Sequence, residues 1–214
     1  MASERPASWS RAQRLLHWAI AALVLLGAPM GVYMVALPFR QLLLKFLLYQ
    51  LHKTIGITVF LFALGQLALH WRRGRPDWDA GLPEWQRRAA VVVHAALFGL
   101  LCATPILGYL TAATAPARIP TLFLGVVPVP HLVGTDPAWF AVLRQVHLAL
   151  AVLLVLLAVG HALMALNHHR VGHRTLVRMW RGYVSTGSGG RNAGDAGGIF
   201  LRARHAGKVG RTGR

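Results

Sequence analysis

Four long apolar stretches, separated by short basic segments, dominate the hydropathy pattern of the chain. The first covers residues 15–37 (LLHWAIAALVLLGAPMGVYMVAL) without a formal charge, and the second covers 45–71 with one interior charge at Lys53. The third, 89–115, is again uncharged, and the fourth covers 144–167. Each reaches the roughly 20 residues that a helix needs to cross a bilayer. Apolar residues occupy every face of these stretches, as lipid burial requires, whereas a surface helix keeps one polar side. The first is longer than the apolar region of a cleaved signal, about 7–15 residues, and contains His17 and Trp18, so it reads as a retained helix.

The pattern therefore predicts an all-α integral membrane four-helix bundle. It divides the chain into a short segment at 1–14, a membrane domain at 15–182 and a Gly- and Arg-rich tail at 183–214. The tail has no periodicity and is expected to be disordered and attracted to anionic lipid. Residues 119–134 (IPTLFLGVVPVPHLVG) are also apolar, but Pro120, Pro128 and Pro130 break any spanning helix. They are expected to form a lid or an interfacial loop on the outer face.

Composition sharpens this picture. Of 214 residues 55% are hydrophobic and 14% charged, against about 25% charged in soluble domains. Lys and Arg number 23 against 6 Asp and Glu, a net charge of +17. Such a balance can mark a nucleic-acid binder, but here the basic residues lie at the edges of uncharged runs. A lipid membrane, not nucleic acid, is the expected partner. Assigning the loops alternately puts 18 of the 23 basic residues on one side, leaving Arg40, Lys45, Lys53, Arg118 and Arg144 on the other. By the positive-inside rule both termini are expected in the cytoplasm. The six acids (Glu4, Asp77, Asp79, Glu84, Asp136, Asp195) all lie outside the apolar cores, which excludes chemistry by paired buried carboxylates. The single cysteine, Cys102, excludes an internal disulfide, a four-thiolate cluster and covalent c-type haem attachment.

Histidine is what remains, with 11 in the chain. His17, His52, His94, His147 and His161 fall inside or at the rim of spans, and His70 closes the second. One such residue is commonly a core histidine bonded to a neighbouring helix; five invite a functional reading. His147 and His161 are 14 residues apart, four turns at 3.5 residues per turn, so they share one face in a left-handed bundle. They lie roughly 21 Å apart along the axis, one near each membrane surface. Depth alone pairs His17 with His161 near the cytoplasmic surface and His52 with His147 near the outer one. Two imidazoles on opposite sides of a porphyrin describe a six-coordinate b-type haem, and no tetrahedral zinc cluster can be assembled at either level. Gly27, Gly56, Gly65, Gly99, Gly108 and Gly160 leave room for close helices or a flat ring.

At this point the chain resembles the bacterial cytochrome b561 family, four-helix di-haem cytochromes of the inner membrane. The matching pieces are RAQRLLHW, LHKTIGITVFLFALGQLALHWRRGRP, VVVHAALFGLLCATPILGYL, LGVVPVP and VHLALAVLLVLLAVGHALMALNHHRV, together covering residues 11–180. The resemblance implies two b haems ligated by His17, His52, His147 and His161, in agreement with the depth pairing. It places a quinone, ubiquinone among the acceptors, near His168, and marks His94 as a recurrent histidine at the inner level. It implies electron transfer between a periplasmic donor and quinone. Some members are similar to superoxide oxidase, and others anchor a soluble dehydrogenase or hydrogenase as redox partner. No side chain is nominated as a catalytic acid, base or nucleophile. Two departures stand out: Gln66 where the family often has arginine, and Leu148 where it often has an acid. A transporter using histidines as proton relays is the remaining class, and it would lack an absorbing cofactor.

Overall fold

The computed structural model describes residues 8–79, 81–173 and 175–181; the first seven residues and the tail from 183 onward lie outside the described residues. Helices α1 (Arg11–Ala36), α2 (Leu42–Arg73), α3 (Glu84–Thr114) and α4 (Pro137–Arg170) form the body, with a single 3-10 turn at Phe39–Gln41 before α2. Strands β1 (Thr121–Phe123) and β2 (Val127–Val129) lie between α3 and α4, and a short α5 (Thr175–Trp180) follows. All four long helices are long and apolar enough to cross a membrane, so the expected bundle is present. Each helix packs along its sequence neighbour in an up-down-up-down order, while α1 and α4 meet only sparsely. The chain end that starts α1 also ends α2 and starts α3; we call it the basic end, and the opposite one the hairpin end.

The helices have 26, 32, 31 and 34 residues. At 1.5 Å per residue they run about 39–51 Å, well beyond the roughly 30 Å hydrocarbon slab. Polar capping residues fix the starts of α1 and α4 outside the apolar runs. Ser10 and Gln13 form a reciprocal capping box at α1. The Gln13 side chain, 2% exposed, also donates from Nε2 to the Gly74 carbonyl (3.4 Å), tying α1 to the end of α2. At α4 the Asp136 carboxylate accepts from the Ala138 and Trp139 amides, with Pro137 as the first helical residue. Inside the spans Thr58, Thr111 and Thr114 donate their hydroxyls to carbonyls one turn back, which satisfies them without water.

The segment 119–134 does not span, as its prolines require, but it is more ordered than a loop. Strands β1 and β2 pair antiparallel in the register Thr121↔Val129 and Phe123↔Val127. Polar residues of α2 hold this hairpin down. Gln50 donates from Nε2 to the Pro120 carbonyl (2.8 Å) and accepts the Leu122 amide on Oε1 (2.9 Å). The Thr54 hydroxyl accepts the Leu124 amide at 3.1 Å. That bond holds Leu124 at φ 53°, a left-handed conformation costly for leucine, next to Gly125 at φ 77°. Lys53 donates to the Ile119 and Pro120 carbonyls at 3.3 and 3.2 Å. Past the hairpin, Tyr109 Oη donates to the Pro130 carbonyl and accepts the Leu132 amide. His131 lies 3.0 Å from the Thr121 hydroxyl, and burial together with the Lys53 charge holds its pKa below 6.5.

Replacing Gln50 by Ala strands the Pro120 carbonyl and the Leu122 amide, at a local cost of about 1–3 kcal/mol. Hydrogen exchange of the hairpin amides should quicken about tenfold or more, while α1 exchanges unchanged. A second expectation concerns acid. Because the folded pKa of His131 is depressed, its contribution is full above the unfolded value of 6.5 and falls as pH drops below it. Hairpin protection, corrected for intrinsic exchange rates, should therefore decline below pH 6.5 in the parent chain and less so in His131→Gln.

Candidate functional site

The bundle brings its histidines together in two places. Near the hairpin end His52 of α2 faces His147 of α4, ring centroids 6.2 Å apart and planes at 89°. Each ring is seated on a third helix. His52 Nδ1 lies 3.1 Å from the Gly27 carbonyl of α1, and His147 Nδ1 lies 3.0 Å from the Thr104 carbonyl of α3. A carbonyl only accepts, so each Nδ1 carries the hydrogen and each Nε2 keeps a lone pair. This is the arrangement by which a second partner orients a ligating imidazole.

The two seats share one plan. One turn beyond each accepting carbonyl stands a glycine, Gly31 after Gly27 and Gly108 after Thr104. A Cβ at either position would come within 3.0 Å of the imidazole Cε1. A proline lies in each of these turns, Pro29 in α1 and Pro105 in α3. Beside the rings a cavity of about 80 Å³ is lined by aliphatic side chains, among them Val24, Ile55, Val59 and Leu154.

At the basic end His17 of α1 faces His161 of α4 at 6.3 Å and 60°. His94 of α3 is closer to His161, at 5.1 Å, and Trp18 meets the His17 ring edge-on at 5.2 Å. Distance separates these relationships. A metal–imidazole bond is about 2 Å and the bonded nitrogen lies roughly 1 Å from the ring centre, so two imidazoles across one metal have centroids about 6 Å apart. The 6.2 and 6.3 Å pairs meet this requirement; the 5.1 Å contact of His94 is too short. Among the described residues no group of three or more His, Cys, Asp or Glu could hold a metal. A planar macrocycle carrying its own four nitrogen donors would need only two more, and His52 with His147 and His17 with His161 are the residues that would supply them.

The two poles differ in their polar surroundings. Among the described residues, buried side-chain atoms without a hydrogen-bond partner are Arg14 Nε, His17 Nδ1, Gln66 Oε1, His70 Nδ1, Arg87 Nε and Thr104 Oγ1. All but Thr104 belong to the basic end. Unsatisfied buried groups call for an explanation, and a carboxylate-bearing macrocycle at that level would supply one for Arg87 Nε. Gln66 stands 14 residues after His52 on α2, the spacing that separates the two α4 histidines, and is 5% exposed.

The other residues of interest fall as follows. His70 packs against Trp9 and Phe98 at 5.2 and 5.8 Å and joins neither pair. His168 lies two turns beyond His161, about 10 Å along α4. Its ring contacts His173 at 5.4 Å, which in turn sits 3.5 Å from Asp79. Leu148 is 50% exposed. Of the small residues, Gly108 makes room for a histidine and Gly27 for Ile55, whereas Gly99 and Gly160 have open space around them. Gly31 and the accepting carbonyls escaped sequence reasoning. The available signal was a proline and a glycine within one turn of an apolar run, Pro29 with Gly31 and Pro105 with Gly108. Two cations near the hairpin end are structural clamps: besides Lys53, Lys45 donates to the Val35 and Leu37 carbonyls at 3.2 and 2.7 Å.

The family described as prokaryotic cytochrome b561 matches residues 8–182. The chain is 33% identical over 167 residues to cytochrome b561 homolog 2 of Escherichia coli (strain K12), an alignment covering 76% of this chain and 86% of that protein.

The seats generate a direct test. In Gly108→Val the added side chain collides with the His147 ring, and in Gly31→Val with the His52 ring. Either variant should lose about half of the bound haem, measured as pyridine haemochrome per purified chain, if each pole holds one. Gly99→Val, in open space, should retain all of it.

Proposed function

The chain belongs to the prokaryotic cytochrome b561 family of multi-pass membrane b-type cytochromes of electron transfer, and on that premise we propose that it holds two b haems and passes electrons across the bacterial inner membrane to a quinone. The observation that carries this reading is the repetition of one imidazole separation, 6.2 and 6.3 Å, at two depths of one bundle. When bound, each haem supplies a one-electron couple. The protein's own part is ligation and placement. His52 and His147 offer Nε2 lone pairs fixed by the Gly27 and Thr104 carbonyls, and His17 and His161 offer the second pair.

The basic end is read as cytoplasmic because most basic residues flank it; the hairpin end is then periplasmic. There His52 and His147 lie nearest the donor, for which superoxide is the candidate. Arg40, Arg118 and Arg144 leave a positive field at that face to attract an anion, with Lys45 and Lys53 adding charge from their clamped positions. In the balanced reaction two superoxide anions each lose one electron to become dioxygen, and one quinone takes both electrons with two protons to become quinol. His168, at the cytoplasmic end of α4 and beside His173, is the proposed quinone-side residue.

Purified protein should give a reduced-minus-oxidised b-type spectrum with two haems per chain. His161→Ala should keep one of the two; full retention would overturn the pairing. Superoxide should drive quinone reduction faster with the holoprotein than with a haem-free control, and equal rates would remove superoxide as donor. Acid should release haem as the freed imidazoles take up protons, seen as loss of the b-type spectrum on lowering pH.

A further inference from the structure

A second cavity lies at the basic end, between the start of α1 and the end of α5. Arg11, Arg14, Leu15, Trp18, Met179 and Trp180 line it, around a volume of about 530 Å³. Alone, a six-residue helix such as α5 is too short to be stable, and here two side chains of α1 pin it. Arg14 donates from Nη1 to the Trp180 carbonyl and Trp18 donates from Nε1 to the Met179 carbonyl, both at 3.2 Å. The Trp18 and Trp180 rings meet edge to face at 5.2 Å.

The walls have two characters. Arg11 and Arg14 are three residues apart, on one face of α1, and among the described residues no acid lines the cavity. The bond to Trp180 takes one of the five N–H donors of Arg14, so the guanidinium retains capacity for an anion. One turn further into the apolar run the walls become aliphatic and aromatic, with Leu15 71% exposed on the side that faces lipid. A site with two cations at the membrane surface and apolar walls below them fits a ligand with an anionic head and hydrocarbon tails. A neutral quinone would leave both guanidiniums uncompensated.

We propose that this cavity binds an anionic membrane phospholipid, its phosphate on Arg11 and Arg14 and its acyl chains against Leu15 and Trp18. Basic recesses between transmembrane helices take lipid headgroups in this manner. Bound there, the lipid adds to the contacts that hold α5 against α1.

The test uses the full holoprotein in mild detergent, with native mass spectrometry after addition of phosphatidylglycerol or phosphatidylcholine at equal concentration. Phosphatidylglycerol should be retained several-fold more than phosphatidylcholine, and Arg11→Gln, alone or with Arg14→Gln, should bring the two to parity. Arg88→Gln, a surface cation paired with Glu84, should leave the preference intact. Because Arg14 also pins α5, the single Arg11 variant decides if the double variant misfolds. Equal retention of the two lipids in the parent chain, or a preference unchanged in Arg11→Gln, would overturn the proposal. Displacement of phosphatidylglycerol by inorganic phosphate would reduce the site to a free-anion site, and displacement by ubiquinone would make it a quinone site; either result also overturns it.

Discussion

Within the hydrocarbon slab an imidazole has no water to bond, so each ring nitrogen must find a protein partner or a metal. The bonds from His52 to the Gly27 carbonyl and from His147 to the Thr104 carbonyl answer that demand on one side of each ring only. They fix which nitrogen bears the hydrogen and leave the other with a lone pair. Much of the local architecture follows from these bonds. The ring must approach the neighbouring helix closely, which forces glycine one turn on, and α1 and α3 must stand beside α2 and α4 at that depth. The up-down-up-down order supplies those neighbours.

The two poles solve the same problem unequally. Near the hairpin end each histidine is held by a backbone carbonyl, and α2 reaches up through Gln50, Lys53 and Thr54 to fasten β1 and the turn above. At the basic end His17 Nδ1 has no partner, and guanidinium, amide and imidazole groups nearby are also unsatisfied. The first pole is held by hydrogen bonds within the protein. The second carries unmet polar capacity, which suits a level where protons and polar ligands arrive from water. Under the proposed orientation that is the cytoplasmic side.

The spans were legible because lipid burial imposes a composition no soluble helix shares, and the histidine pairs because a 14-residue interval is a whole number of turns. Helix ends were less so. Asp136 and Pro137 lengthen α4 by seven residues beyond the apolar run, through capping that hydropathy averages away. The hairpin was hidden because Pro128 argues against a strand; β2 accommodates it at the edge of a two-stranded ribbon, opposite Leu122. The seats at Gly27 and Thr104 were invisible for a different reason. They are backbone carbonyls, which any residue possesses, and only the packing of α1 and α3 shows which ones accept.

Helix α4 contributes to both histidine pairs, and this makes it a ruler with discrete markings. One residue inserted between His147 and His161 would rotate one imidazole about 100° relative to the other, swinging it out of its pair. Seven inserted residues would nearly restore the facing while pushing the poles about 10 Å further apart. The chain can therefore lengthen in this interval only in near-integral blocks of turns, and small insertions or deletions there are excluded even where every added side chain would suit lipid.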